Sequence, residues 1–206
     1  RVVSHTVDSD LAAPRVCLTF SEDLVKSGVD YASFLTLDGA ASPAIDASDR
    51  QICVEGLAHG NHYRVEARQG LPSAVGEVLE TPASIAVYVR DRSSSIRFSG
   101  ENFVLPGAGR HGIPMVSVNA PTAKLRLHRI GDRGLADILS GYRFLRQLES
   151  YQIEQLDRSD AQLIWDGTID IANQLNREVV TSFPVDEALS ERKPGVYVLT
   201  ATPEGK

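Results

Sequence analysis

Lys193-Pro-Gly-Val-Tyr-Val-Leu-Thr-Ala-Thr-Pro-Glu-Gly205 decides how the rest of the chain reads, because it has the form of a closing β-strand. A polar lead-in and a Pro-Gly turn are followed by an alternating apolar run, which is how a β-domain finishes. Beyond the strand stand only Pro203-Glu-Gly-Lys206, and the chain begins at Arg1 without a Met. The expectation is a piece of a longer protein whose function belongs to the whole, with the native N-terminus and any signal peptide or lipid anchor upstream of Arg1.

Working outward, 206 residues hold one large β-domain or two smaller ones, and two fit the cadence better. Hydrophobic content of 42% with 23% charged residues is ordinary for a globular protein, and a net charge of −6 excludes the basic footprint of a nucleic-acid binder. The longest apolar runs are four or five residues. A bilayer span needs about 20, so no membrane span is expected.

The first block alternates short strand-like runs with turns: Val2 to Val7, Arg15 to Ser21, Phe34 to Leu37, Gln51 to Glu55 and His62 to Arg68. Turn signals at Ser27-Gly28, Asp38-Gly39 and His59-Gly60 separate them, the cadence of an immunoglobulin-like or fibronectin-like sandwich. Thr81-Pro-Ala-Ser84 reads as a linker because Pro82 interrupts strand pairing. The fold class is therefore mainly β, with a first antiparallel sandwich over residues 1–82 and a second over 83–206. In the second block, strands resume until the apolar period changes at Leu135, Ile138, Leu139, Tyr142, Leu145 and Leu148. That three-and-four spacing predicts one amphipathic helix over about residues 134–158, inserted in the second domain.

Two cysteines are present, each inside a strand-like run. With Val16, Leu18 and Phe20 facing a core, Cys17 points outward, and Ile52 and Val54 put Cys53 outward by the same period of two. On neighbouring strands the pair could bridge as a structural disulfide, which would favour an exported protein; on distant ones both are free thiols.

Other candidates for chemistry read as structure. Gly107-Ala-Gly-Arg-His-Gly112 spells a dinucleotide-binding loop, but Ile113-Pro-Met-Val follows as a strand where such a loop needs a helix N-terminus, so it reads as a glycine-rich turn. His59 and His62 are spaced as metal ligands can be, on a turn and without a third ligand nearby. His5, His111 and His128 are scattered and form no nucleophile–base signature. Trp165, in Leu163-Ile-Trp-Asp-Gly-Thr168, reads as a core or interdomain anchor beside an Asp-Gly hairpin turn. No cofactor, metal set or enzymatic activity is expected.

Several stretches of the second block stand in a telling order. Phe103-Val-Leu-Pro-Gly107, Gly112-Ile-Pro-Met-Val-Ser-Val-Asn119 and Lys124-Leu-Arg-Leu-His-Arg-Ile130 precede the helix; Ile164-Trp-Asp-Gly-Thr168, Asn176 to Pro184 and Pro194-Gly-Val-Tyr-Val-Leu199 follow it. This order resembles an early macroglobulin-like domain of the bacterial α2-macroglobulins, from about Ile85 to Gly205 and more loosely over the first block. The resemblance implies a large, exported, periplasmic or envelope-associated protease trap, lipid-anchored in some settings, whose partners are target proteases and its own further macroglobulin domains. It also implies a bait segment and, in many members, a Cys-Gly-Glu-Gln thioester. Neither Cys17-Leu-Thr-Phe20 nor Cys53-Val-Glu-Gly56 supplies that quartet. The chain is thus expected to be an N-terminal scaffold that does not inhibit proteases by itself. The alternative is an extracellular β-sandwich adhesion or ligand-binding module.

Overall fold

A computed structural model describes residues 1–38, 44–100, 112–131, 151–153, 161–189, 193 and 195–204. The chain divides into two compact units, Arg1–Arg92 and Ser93–Lys206.

In the first unit, β1 (Val2–Asp8), β2 (Arg15–Phe20), β4 (Ala44–Ser48) and β5 (Gln51–Glu55) form an antiparallel sheet in the order β1-β2-β5-β4. A second sheet joins β3 (Leu35–Asp38), β6 (Asn61–Ala67) and β7 (Ala83–Val89) in the order β3-β6-β7. Strand alternation aims Val16, Leu18, Phe20, Ile52 and Val54 at the same core that Tyr63, Val65, Ala67, Val87 and Val89 enter from the other sheet. Between the sheets' strands, Tyr31 is buried and its hydroxyl accepts from the Val25 amide (2.7 Å) while donating to the Pro72 carbonyl (3.0 Å).

The boundary lies ten residues beyond the one expected from Pro82. β7 pairs with β6 from Asn61↔Val89 to Ala67↔Ala83, and Val87 and Val89 are buried in the first core, so Ile85 to Val89 close the first unit instead of opening the second. Pro82 stands just before the strand, where the amide it lacks interrupts no ladder.

In the second unit, β8 (Ser95–Phe98), β9 (Gly112–Val118) and β12 (Val179–Pro184) form a sheet ordered β12-β9-β8. β10 (Thr122–Ile130), β11 (Ala161–Asp170) and β13 (Val196–Glu204) form another, ordered β11-β10-β13. The closing strand is where its sequence put it: β13 runs antiparallel to β10 over its full length, from Ile130↔Val196 to Thr122↔Glu204. Ala123, Leu125 and Leu127 of β10, with Trp165, Ile169 and Leu199 on either side, pack with Ile113, Met115 and Phe183 from the other sheet. A one-turn helix, Val185–Ala188, follows Pro184 and buries Val185 and Ala188 against the same core. The architecture is mainly β, and the strand pairs among the described residues are antiparallel. Of the expected helix over about 134–158, residues 151–153 are helical and the remainder lies outside the described residues.

Asp166-Gly167 does not turn. Both residues sit inside β11, Gly167 opposite Leu125 and Asp166 opposite Arg126. The glycine has a packing reason: a Cβ at 167 would lie 2.6 Å from the indole of Trp165, which leans along the strand over it and meets Phe183 with ring centroids 5.4 Å apart. Trp165 is thus a core residue. Asp166 instead accepts an ion-paired hydrogen bond from Arg126 Nε at 2.8 Å.

Candidate functional site

Cys17 and Cys53 face one another across β2 and β5, in a row that continues outward to Thr6 on β1 and Asp46 on β4. Their parity is opposite to that of Val16, Leu18, Ile52 and Val54, so the row lies on the face turned away from the core. Their Cα atoms are 4.0 Å apart and the sulfurs are bonded. The spacing suits a pair without mutual backbone hydrogen bonds, where opposed side chains come closest. Although on the outer face, both cysteines are buried. The bond crosslinks the two middle strands of the four-stranded sheet.

Arginine–aspartate pairs lie on the surface of the first unit. Arg15 Nε bonds Asp8 Oδ2 at 2.9 Å, and that hydrogen bond, more than the charges of Asp8, Glu55 and Asp46, holds the guanidinium above the usual arginine range. Arg50 with Asp23 (2.7 Å) and Arg90 with Asp10 are raised in the same way, the hydrogen bond first in each case.

The histidine candidates part company in the fold. His59 Nε2 is hydrogen-bonded to the Ser9 carbonyl at 2.9 Å, whereas His62 stacks on Tyr88 with ring centroids 4.6 Å apart. His128 is buried on β10 and His5 exposed on β1. Among the described residues no group of three His, Cys, Asp or Glu is placed to hold a metal. Gly107 to His111 lie outside the described residues; Gly112 opens β9, and a Cβ there would come within 1.9 Å of Ser182 Oγ.

A cavity of about 310 Å³ opens in the second unit, with Arg129, Gln162, Leu163, Ile164, Ala188, Leu189, Lys193 and Tyr197 among its walls. These walls offer apolar surface and two cationic side chains, and no nucleophile–base pair among the described residues. Two polar arrangements had no signal in the sequence. Asn119 and Asn176, both at positive φ (48° and 61°), bond reciprocally: Asn119 Oδ1 accepts from the Asn176 amide at 2.7 Å, and Asn119 Nδ2 donates to Asn176 Oδ1 at 3.1 Å. Asp10 gathers Arg90 and Arg92 from 80 and 82 residues away. Each depends on pairings across loops that no local spacing announces.

Together the two antiparallel units and the crosslinked sheet define a protein of β-sandwich modules. Residues 97–206 match the family model described as the bacterial alpha-2 macroglobulin MG2 domain, and the chain belongs to the bacterial alpha-2-macroglobulin family. The alpha-2-macroglobulin of Xylella fastidiosa (strain 9a5c) is 26% identical over 150 residues, covering 70% of this chain and 9% of that protein. That of Escherichia coli K12 is 22% identical over 120 residues, 58% of this chain and 7% of that protein. The chain thus spans about a tenth of the length of the curated relatives it matches. Among solved structures, the Y1175G mutant of Salmonella alpha-2-macroglobulin aligns over 98% of this chain and 12% of its own, with a TM-score of 0.62 and 17% identity. The native conformation of E. coli alpha-2-macroglobulin aligns over 100% of this chain and 13% of its own, with a TM-score of 0.51 and 18% identity. At these identities the structural likeness speaks for the fold.

Proposed function

We propose that this chain is a scaffold segment of a broad-spectrum protease trap, placing other macroglobulin domains of the same protein and doing no trapping by itself. The observation that carries the reading is the match of residues 97–206 to the MG2 domain model. Two consecutive β-sandwich units are suited to a spacer, since each buries its own core. Partners on this reading are target proteases, met through the full-length protein, and neighbouring domains of the same chain. Cys17 and Cys53 are a structural crosslink, and neither is followed by the residues a thioester requires.

The reading includes export to the periplasm or cell envelope, with lipid anchoring a property of the full-length protein. A disulfide between central strands supports an oxidising compartment. No helix among the described residues is long and apolar enough to cross a membrane.

Deleting residues 1–206 from the full-length protein tests the scaffold role. The truncated protein should be secreted in soluble form yet lose most of its ability to block trypsin acting on a large protein substrate. Full inhibition by the truncated protein would contradict the proposal.

A further inference from the structure

The chain leaves its first compact unit at Arg92–Ser93, and the three residues before that bond are Arg90-Asp91-Arg92. A protease of trypsin's specificity cuts after arginine, once the side chain enters a deep acidic pocket and several neighbouring residues lie extended in its cleft. Both arginines are held elsewhere. Arg90 grips the Asp10 carboxylate with two nitrogens, Nη1 to Oδ1 at 3.0 Å and Nη2 to Oδ2, and Nη1 also donates to the Asp91 carbonyl at 2.8 Å. Arg92 Nε donates to the backbone carbonyl of Asp10 at 2.9 Å. The turn that carries Asp10 is itself anchored, since His59 Nε2 bonds the Ser9 carbonyl at 2.9 Å and the Gly60 amide reaches the Val89 carbonyl, at the end of β7, at 2.7 Å. Asp10 is the hub of this cluster, reached by two arginines from the far end of the unit.

We propose that the Asp10 hub guards the peptide bonds after Arg90 and Arg92 against trypsin-like proteases. Cleavage of folded protein proceeds from a locally opened state, so its rate scales with how readily the segment opens. To present either arginine, the segment must break its hold on Asp10, whose bidentate pairing with Arg90 is the strong form of the interaction. The pair is exposed to solvent, with side-chain accessibilities of 48% and 57%, which limits the protection to a modest factor. The guard would suit a module of a protein that meets active proteases, but its chemistry does not rest on that reading.

The test digests the 206-residue chain with dilute trypsin and follows each cut by mass spectrometry, comparing wild type with Asp10→Asn, which keeps size and removes charge. Cleavage after Arg90, which alone grips the carboxylate, should accelerate about 2- to 5-fold relative to cleavage after Arg50, whose own partner Asp23 is untouched. Arg92→Lys retains a trypsin site but lacks the Nε donor, and should accelerate the cut after residue 92 alone. Unchanged junction rates overturn the proposal, and so does a uniform acceleration at all sites, which would report global destabilisation. Because the readout is cleavage and not inhibition, failure here leaves the scaffold reading standing.

Discussion

The indole of Trp165 occupies the space above Gly167, two residues along the same strand, so closely that a Cβ at 167 would stand 2.6 Å from it. The ring cannot simply swing away, because Phe183, itself almost fully buried, packs against it. Gly167→Ala should therefore overpack the second core and destabilise it by about 1–3 kcal/mol, lowering its melting temperature by several degrees. Differential scanning calorimetry reads this directly. An unchanged second transition would show that the indole has room to move.

Phe183→Ala removes the partner instead of crowding it. A cavity in place of a buried phenylalanine costs about 3–5 kcal/mol. The effect should appear in the transition of Ser93–Lys206 and leave that of Arg1–Arg92 in place, since each unit has its own core. A single transition shifted as a whole would contradict two independent cores.

The disulfide closes a loop with a sequence separation of 36. On the chain-entropy account, opening it costs roughly 4 kcal/mol. Cys17→Ala/Cys53→Ala should lower the urea midpoint of the first unit substantially, and intact mass measured before and after reduction and alkylation should report two protected thiols in wild-type protein purified under non-reducing conditions. Two alkylatable thiols without reduction would mean that the bond does not form.

Asn119 couples a left-handed backbone to two hydrogen bonds, and two substitutions separate these contributions. Asn119→Gly tolerates the positive φ and loses only the bonds, at about 0.5–1.5 kcal/mol each. Asn119→Ala adds the strain of an L side chain at φ 48° and should be the less stable of the two in urea titrations. Equal midpoints would deny any backbone contribution.

For Arg15, Arg50 and Arg90 the folded-state pKa lies above the ordinary value. Stability from such groups is full below the unfolded pKa and is lost only as pH rises through the folded one, well into the alkaline range. The stability difference between wild type and Arg15→Gln should thus be constant between about pH 6 and 9. It should shrink with added salt, as the screening length falls from about 30 Å at 0.01 M to about 3 Å at 1 M. A strong pH dependence of that difference across this window would contradict the assignment.

Strand identity was legible wherever burial imposed a period of two. Val16, Leu18 and Phe20 announced β2 and its inward face, and the apolar run from Val196 announced β13. The sheet to which a strand belongs was not legible. Ala83–Val89 alternates equally well as the first strand of one domain or the last of another, and only Val87 and Val89 entering the first core decides it. Asp166-Gly167 carried a strong local hairpin signal, yet the glycine answers a neighbouring ring. The outward parity of Cys17 and Cys53 followed from their apolar neighbours, whereas their directly opposed register needed the sheet order β1-β2-β5-β4. The Asp10 cluster was invisible because its members are some 80 residues apart and individually ordinary.

The central claim, a family member that contributes structure and not trapping, meets its most direct test in the chain alone. Purified residues 1–206, titrated to molar excess over trypsin, should leave hydrolysis of a large protein substrate at its uninhibited rate. Stoichiometric loss of that activity would place inhibition within this chain and contradict the account.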